Sequence, residues 1–168
     1  MNDNDPTPAT ARPTIRPLTA ADRAALRRLP DRVSPTSAVL RFHGAVKMLT
    51  EPTLDRLLDL EPGQREAVVA VDARGIAGVA RFARDAVDSD TAEIAILIAD
   101  EWQHHGVGGQ LLHRLVEQAR HAGITLFRAD LLAENTAARH LLSNVAPIVD
   151  ERVTAGHSVL RLDLRAAD

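Results

Sequence analysis

A short run of glycines and polar residues is the part of the sequence best suited to chemistry. It reads Gln103-His104-His105-Gly106-Val107-Gly108-Gly109 and is followed by an amphipathic segment with helical spacing. Glycine allows a tight turn in which backbone N–H groups point inward, and the start of a helix adds a partial positive charge. The run therefore predicts a site for an anion such as phosphate or pyrophosphate.

Common nucleotide-binding motifs do not fit this run. The dinucleotide fingerprint G-x-G-x-x-G fails because Leu111 stands where its third glycine belongs, and no G-x-x-x-x-G-K-[ST] loop occurs. A metal is not expected, because the chain has no cysteine and adjacent histidines on a loop diverge. His104 and His105 face either phosphates or solvent. A tight turn that binds nothing is the alternative explanation of the glycines.

Apolar periodicity predicts the elements in the first half of the chain. A strand at 14–18 precedes a helix that begins after Thr19 and ends before Pro30. Helical spacing at 34–60, with Val39, Phe42, Val46 and Leu49 before Leu54, Leu57 and Leu58, predicts two short helices separated at Pro52. The apolar runs 67–71 and 76–82 flank turn residues and predict a β-hairpin.

The second half contains the strand and helix on either side of the glycine run. A strand at 91–99 has one row of side chains formed by Glu93, Ala95 and Leu97 and an opposite row formed by Ile94, Ile96 and Ile98. Trp102 is expected to pack under the sheet. The helix after the run stops at Gly123, and a strand at 126–132, a helix at 134–144 and a final strand at 158–164 follow. This order predicts a mixed α/β (α+β) fold.

Composition limits the classes of protein that the chain can belong to. Its 168 residues are 45% apolar and fit one domain, predicted at 14–168 after a disordered tail at 1–13. A net charge of −3 gives no general attraction to nucleic acid or to a membrane surface. We find no signal peptide and no membrane-spanning run, so we expect a soluble, cytoplasmic protein.

With these elements in place, the chain resembles the GNAT superfamily of N-acetyltransferases, whose pyrophosphate loop reads Q/R-x-x-G-x-G/A between a central strand and a helix. Gln103, Gly106 and Gly108 fill that pattern in register. Asn135 and Ala138 match the Asn-x-x-Ala element that opens the family's last helix. The resemblance implies a mixed, mostly antiparallel sheet that is splayed at the cofactor site and flanked by helices. The stretch 92–106, together with Arg41-Phe42, looks most like the bacterial GNAT branch that includes protein lysine acetyltransferases.

The resemblance also implies a co-substrate and a way of binding it. Acetyl-CoA would lie with its pantetheine arm along the backbone of Ile96, Leu97 and Ile98 and its pyrophosphate on the amides of 103–109. A backbone N–H near Leu97 or Ile98 would polarise the thioester carbonyl. Asn135 and Ala138 would contact the cofactor arm. The other partner would be an amine, in a protein lysine or a small molecule, and the chain would act as a monomer or homodimer without a metal.

The acceptor amine needs a base, because an unperturbed lysine amine titrates near ~10.4. The resemblance implies that Glu93 is this catalytic base. The interpretation without chemistry is that Glu93 is a solvated carboxylate at the rim. Glu101 is the alternative base. Many family members carry a tyrosine that protonates the leaving thiolate, but Leu142 fills its place and the chain has no tyrosine. Ser143 or water could replace it. A binding module that has lost the chemistry is therefore the second functional hypothesis.

Overall fold

The computed structural model describes residues 11–34 and 50–166. The strands in these ranges are β1 (Thr14–Pro17), β2 (Arg65–Asp72), β3 (Gly75–Arg84), β4 (Thr91–Ile98), β5 (Leu126–Leu132), β6 (Ile148–Thr154) and β7 (His157–Asp163). The α-helices there are α1 (Arg23–Arg28), α2 (Glu51–Leu58), α3 (Val107–His121) and α4 (Thr136–Ser143). The strands form a sheet in the order β1-β2-β3-β4-β5-β7-β6.

The sheet separates at its centre. Every neighbouring pair of strands is antiparallel except β4 and β5, which run parallel. The β4–β5 ladder begins at Thr91 and Leu126 and ends at Ile94 and Ala129, although β4 continues to Ile98 and β5 to Leu132. The two strands therefore diverge after the ladder, and a gap opens between their carboxyl ends.

Helix α3 covers one face of the sheet beside this gap. It packs against β2, β3 and β4, and its apolar positions at helical spacing are buried. These are Leu111, Leu112, Leu115, Val116 and Ala119. Gly123, with φ of +78°, lies just beyond the end of the helix in the left-handed region that glycine adopts without steric cost. α3 is thereby fixed to the half of the sheet that contains β4.

Most of the predicted elements are confirmed, with two exceptions. No strand was predicted at β6, because six of its seven residues are exposed and it lacks the apolar alternation that marks a half-buried strand. The predicted helix at 134–144 is shorter, because Asn135 is the N-cap residue of α4. In the predicted helical region, α2 begins at Glu51 with Pro52 in its first turn. The earlier apolar residues of that region, Val39 to Leu49, and residues 1–10 of the predicted tail lie outside the described residues.

Candidate active site

The glycine run forms the turn between β4 and α3. Gly106 caps α3 with φ of +80°, and His104 also has a positive φ of 60°. Glycine reaches the left-handed region without the clash that a Cβ atom causes, so Gly106 suits its place, whereas His104 needs support from its surroundings. The first helical hydrogen bond of α3 runs from the Gln110 amide to the Gly106 carbonyl, at 3.1 Å. The amides before it at the helix start have no partner within the helix and are available to a ligand.

A buried ion pair anchors the segment that leads into this turn. Asp72 accepts hydrogen bonds from the indole N–H of Trp102 at 2.6 Å and from Arg32 at 2.5 Å. The side chains of Arg32 and Asp72 are only 7% and 4% exposed. Burial raises the pKa of Asp72, but the bonds from Arg32, Trp102 and the Arg74 amide lower it, and the net pKa lies below its ordinary value. Trp102 is thus a core residue, as expected, and it ties the turn to β2.

Glu101, the alternative base, takes part in the same anchor. Its carboxylate accepts hydrogen bonds from Arg32 and from Arg74, each at 2.8 Å. The Gln103 side chain connects the turn to the end of β4, because its amide nitrogen donates to the Ile98 carbonyl at 3.2 Å and to the Asp100 carboxylate at 3.1 Å. The Gln103 backbone amide donates to the Asp100 carbonyl at 3.2 Å. The backbone amides of this run that remain candidate donors to an anion are therefore those that follow Gln103.

A pocket of about 150 Å³ lies between the turn and α4. Its lining residues are Ile98, Gln103, His104, Gly106, Gly108, Gly109, Ala137, His140, Leu141 and Asn144. The first turn of α3 contains no acidic residue, so the positive end of the helix is not offset by a carboxylate of its own. The pocket therefore combines free helix amides, a helix dipole and two histidines, His104 and His140, which suits an anionic ligand.

The glycines of the first turn of α3 have different surroundings. A Cβ atom on Gly108 would lie 2.7 Å from Ile98 Cδ1 and 2.9 Å from Leu141 Cδ2, whereas a Cβ atom on Gly109 would meet nothing within 4 Å. Gly108 therefore permits close packing between α3, β4 and α4. Gly109 faces open space at the pocket.

Odd- and even-numbered residues of β4 direct their backbone N–H and C=O groups to opposite sides, and the hydrogen bonds to β3 show which of them face the gap. The Ala99 amide donates to the Ala77 carbonyl at 2.8 Å and the Asp85 amide donates to the Thr91 carbonyl at 2.9 Å, so odd-numbered residues of β4 bond to β3. Even-numbered residues point the other way, as the bond from the Leu126 amide of β5 to the Asp90 carbonyl illustrates. The backbone groups of Ile96 and Ile98 consequently face the gap, and those of Leu97 face β3.

The side chains of β4 follow the expected alternation over most of its length. Glu93 and Ala95 are exposed, while Ile94 and Ile98 are buried against the α3 side of the sheet. Leu97 is only 2% exposed even though it belongs to the Glu93 row. Glu93 therefore lies on the sheet face opposite α3, in the exposed part of that face that we call the open face. It is one residue before the end of the ladder to β5.

Other residues singled out from the sequence take supporting positions. The His105 ring contacts the Trp102 ring edge-on, with centroids 6.0 Å apart, and its Nδ1 lies 2.7 Å from the Gln103 carbonyl oxygen. Val107 is 3% exposed and packs in the core. The buried Asn135 side chain accepts a hydrogen bond from the Ala138 amide at 3.0 Å. Asn135 and Ala138 thus fix the start of α4, whose next turns line the pocket.

Sequence reasoning missed the face of α4 that lines this pocket. Ala137, His140, Leu141 and Asn144 recur at the spacing of one helical face. The opposite face is buried through Ala138 and Leu142. The spacing was a usable signal, because Ala138 and Leu142 lie four residues apart on the buried face and leave the other face of the helix for the pocket.

Similarity to known proteins identifies the family that shares this arrangement. The profile of the acetyltransferase (GNAT) family matches residues 38–144. The chain belongs to the GNAT acetyltransferase family. An acetyltransferase of Pseudomonas aeruginosa is 33% identical to this GNAT chain over 132 residues, which cover 76% of this chain and 70% of that protein. The acetyltransferase Pat of Mycolicibacterium smegmatis is 30% identical over 69 residues, or 41% of this chain and 21% of that protein.

Solved GNAT structures share the fold. The GNAT domain of S. lividans PAT has a TM-score of 0.81 and 25% identity, with 89% of each chain covered. The structure of yncA from Salmonella typhimurium with its cofactor acetyl-CoA has a TM-score of 0.71 and 21% identity, with 90% of this chain and 93% of that chain covered. The predicted GNAT fold is confirmed, and GNAT enzymes use acetyl-CoA as co-substrate.

Leu142 fills the position at which the resemblance to GNAT enzymes predicts a tyrosine that protonates the thiolate. Leu142 is buried in α4 with 4% exposure. The neighbouring Ser143 is exposed, and its hydroxyl donates to the His140 carbonyl at 2.9 Å. His140 is the pocket-lining side chain of α4 that can carry a proton.

The described residues contain neither a candidate metal site nor a membrane-spanning helix. No group of three or more His, Cys, Asp or Glu side chains there could hold a metal ion. None of the helices in that part of the chain is long and apolar enough to cross a membrane.

Proposed function

We propose that the chain is an N-acetyltransferase that moves the acetyl group of acetyl-CoA to a primary amine by direct attack in a ternary complex. The observation that carries this proposal is the gap between β4 and β5. It exposes the backbone groups of Ile96 and Ile98 beside the anion-binding start of α3. An extended pantetheine arm can bond to such a strand edge as an added strand would.

The chemistry needs one bond to form and one to break. The amine nitrogen attacks the thioester carbonyl carbon, the carbon–sulfur bond breaks, and CoA leaves as a thiolate. Glu93 accepts the proton that the amine loses, and water or His140 supplies a proton to the thiolate. The N–H of Ile98 is the candidate donor to the carbonyl oxygen, because it faces the gap whereas the N–H of Leu97 faces β3.

The amides of His104 to Gly109 would bind the pyrophosphate, with Asn135 and Ala138 holding α4 beside the cofactor arm. Because Leu97 is one of the odd-numbered residues of β4, its amide faces β3. The proposed contribution of Leu97 is therefore to keep β4 in place rather than to donate to the thioester. The names of the related acetyltransferases support acetyl as the transferred group.

The test measures release of the CoA thiol from acetyl-CoA with a panel of amines and lysine peptides, against a control without amine. Thiol release that requires an amine, together with an acetylated product seen by mass spectrometry, is the expected result. The alternative is a catalytically weak acetyl-CoA-binding module, which the absence of tyrosine favours. Tight acetyl-CoA binding without transfer to any amine would support that alternative.

A further inference from the structure

Strand pairing fixes the neighbours of Glu93 on the open face of the sheet. Glu93 lies opposite Ala83 of β3 and Arg128 of β5, and Arg81 of β3 lies opposite Ala95. Directly paired residues project to the same face, and so do alternate residues of one strand. Arg81 and Glu93 are therefore diagonal neighbours on one face, with Cβ atoms about 7 Å apart.

The guanidinium of Arg81 stands out because no residue in the described part of the chain forms a hydrogen bond with it. Arg84 of the same strand donates to the backbone carbonyls of Gly63, Ser89 and Ala122. Arg81 is partly buried, yet none of the residues in the described ranges forms a hydrogen bond or an ion pair with it. A buried charge without a partner is costly, so this position invites an external anion.

The electrostatics of Arg81 agree with this geometry. Burial lowers the pKa of Arg81, Glu93 raises it in part, Arg65 and Arg56 lower it further, and the net pKa lies below its ordinary value. Arginine keeps its proton in proteins, so the charge persists at a cost. The planar guanidinium matches a carboxylate through two parallel hydrogen bonds. A carboxylate bound there would offset the cost.

We infer that Arg81 binds a carboxylate of the acceptor, so that the acceptor is an amine with a carboxylate a few bonds from its nitrogen. This inference rests on the proposed function, because Glu93 fixes the place of the amine. An acceptor whose nitrogen lies within about 3 Å of the Glu93 carboxylate must have its own carboxylate within reach of Arg81, whose Cβ atom lies about 7 Å from that of Glu93. Free amino acids meet this limit, as does a lysine beside an acidic residue, whereas polyamines lack the carboxylate.

The test compares acids with their amides. Free amino acids, their C-terminal amides and blocked Lys-Glu and Lys-Gln peptides are titrated by calorimetry into the chain saturated with CoA, and acetyl transfer to each is measured separately. We expect at least one acid to bind about 10-fold or more tightly than its amide. Arg81→Gln should abolish that difference, leave acetyl-CoA affinity unchanged and not lower the melting temperature. The arm that shows the difference, free amino acid or peptide, identifies the source of the carboxylate.

Arg128→Gln is the matched control, because it removes an exposed guanidinium from the same face on the other side of Glu93. Equal losses in Arg128→Gln and Arg81→Gln would indicate general charge attraction and overturn the inference. So would acids that bind no better than their amides. If Arg81→Gln does not fold, Arg81→Lys decides the point, with an expected loss of about 10-fold for acids alone. Binding of acids through Arg81 without any acetyl transfer would contradict the proposed function only.

Discussion

Among single residues, Glu93 lies where the open face of the sheet meets the gap between β4 and β5. Its side chain is exposed, so an acceptor can reach it from solvent. The β4–β5 ladder ends one residue later, at Ile94, and the backbone groups of Ile96 and Ile98 face the gap beyond. A base at this position can take a proton from an amine while a thioester lies along the adjoining strand edge. The location agrees with a general base and not with a residue that binds CoA.

Glu93→Gln should therefore lower the transfer rate at pH 7 by about 10²- to 10⁴-fold while acetyl-CoA affinity stays near that of the wild type. Glutamine keeps the shape but cannot accept the proton. The deficit should shrink as pH rises, because an amine with a pKa near ~10.4 then loses its proton without help. Initial rates from pH 7 to 10 and calorimetry check both statements.

Glu101→Gln is the comparison for this experiment, because Glu101 is the alternative carboxylate and is bonded to Arg32 and Arg74. Its loss should affect melting temperature more than rate. A large rate loss in Glu101→Gln with none in Glu93→Gln would reverse the assignment.

The sequence could predict some of these residues and not others. The glycine run carried a local signal, because a turn and a helix start are set by neighbouring residues. Arg81 carried none, since its lack of a partner depends on which side chains the register of β3 and β4 brings near it. The Ile98 amide is a similar case, because its direction depends on the parity of a ladder that only the paired strands define.

At the scale of elements, we propose that the start of α3 and the turn before it act as one anion-binding unit. Gly109→Glu places a carboxylate in open space at the pocket. The variant should fold normally, because an acidic residue in the first turn favours the helix dipole. It should bind acetyl-CoA about 10-fold more weakly than Gly109→Gln, its neutral match in volume. High salt should reduce that difference, which calorimetry at two ionic strengths can measure.

Equal affinities for Gly109→Glu and Gly109→Gln would show that no anion binds at this helix start. Gly108→Glu is the less clear test of charge, because its Cβ would first displace Ile98 and Leu141. A loss of affinity in Gly108→Glu would therefore also reflect disturbed packing between β4 and α4.

Whole elements differed in how much the sequence revealed. α3 and the β2–β3 hairpin were predictable because each buries a regular apolar pattern against the sheet. β6 was not, because it is an edge strand that pairs with β7 but buries almost none of its side chains. Pairing supplies its backbone bonds, and a strand held mainly by backbone bonds leaves little trace in hydrophobic periodicity.

At the scale of the whole molecule, the sheet consists of two parts that meet through one short parallel ladder. Four residue pairs, from Thr91–Leu126 to Ile94–Ala129, join β4 to β5. α3 rests on the first part, and α4 faces the pocket from the second. A ligand in the gap would contact both parts, so acetyl-CoA should raise the stability of the entire fold by mass action.

The stability of the whole fold should also depend on pH through Asp22, which joins β1 to the first helical turn. Hydrogen bonds from Arg16, at 2.7 and 2.8 Å, are the largest cause that lowers the pKa of Asp22 to about 2. Because the folded pKa is below its unfolded value of ~3.9, the stabilisation is present above that value and lost as pH falls toward 2. Asp22→Asn should therefore lower the free energy of unfolding by at most about 2 kcal/mol at pH 7, and by about half as much at pH 3. Urea titrations at pH 7, 5 and 3, with Arg16→Gln and the double variant completing a cycle, measure the coupling. A difference between wild type and Asp22→Asn that stays constant down to pH 3 would contradict the role of the carboxylate charge.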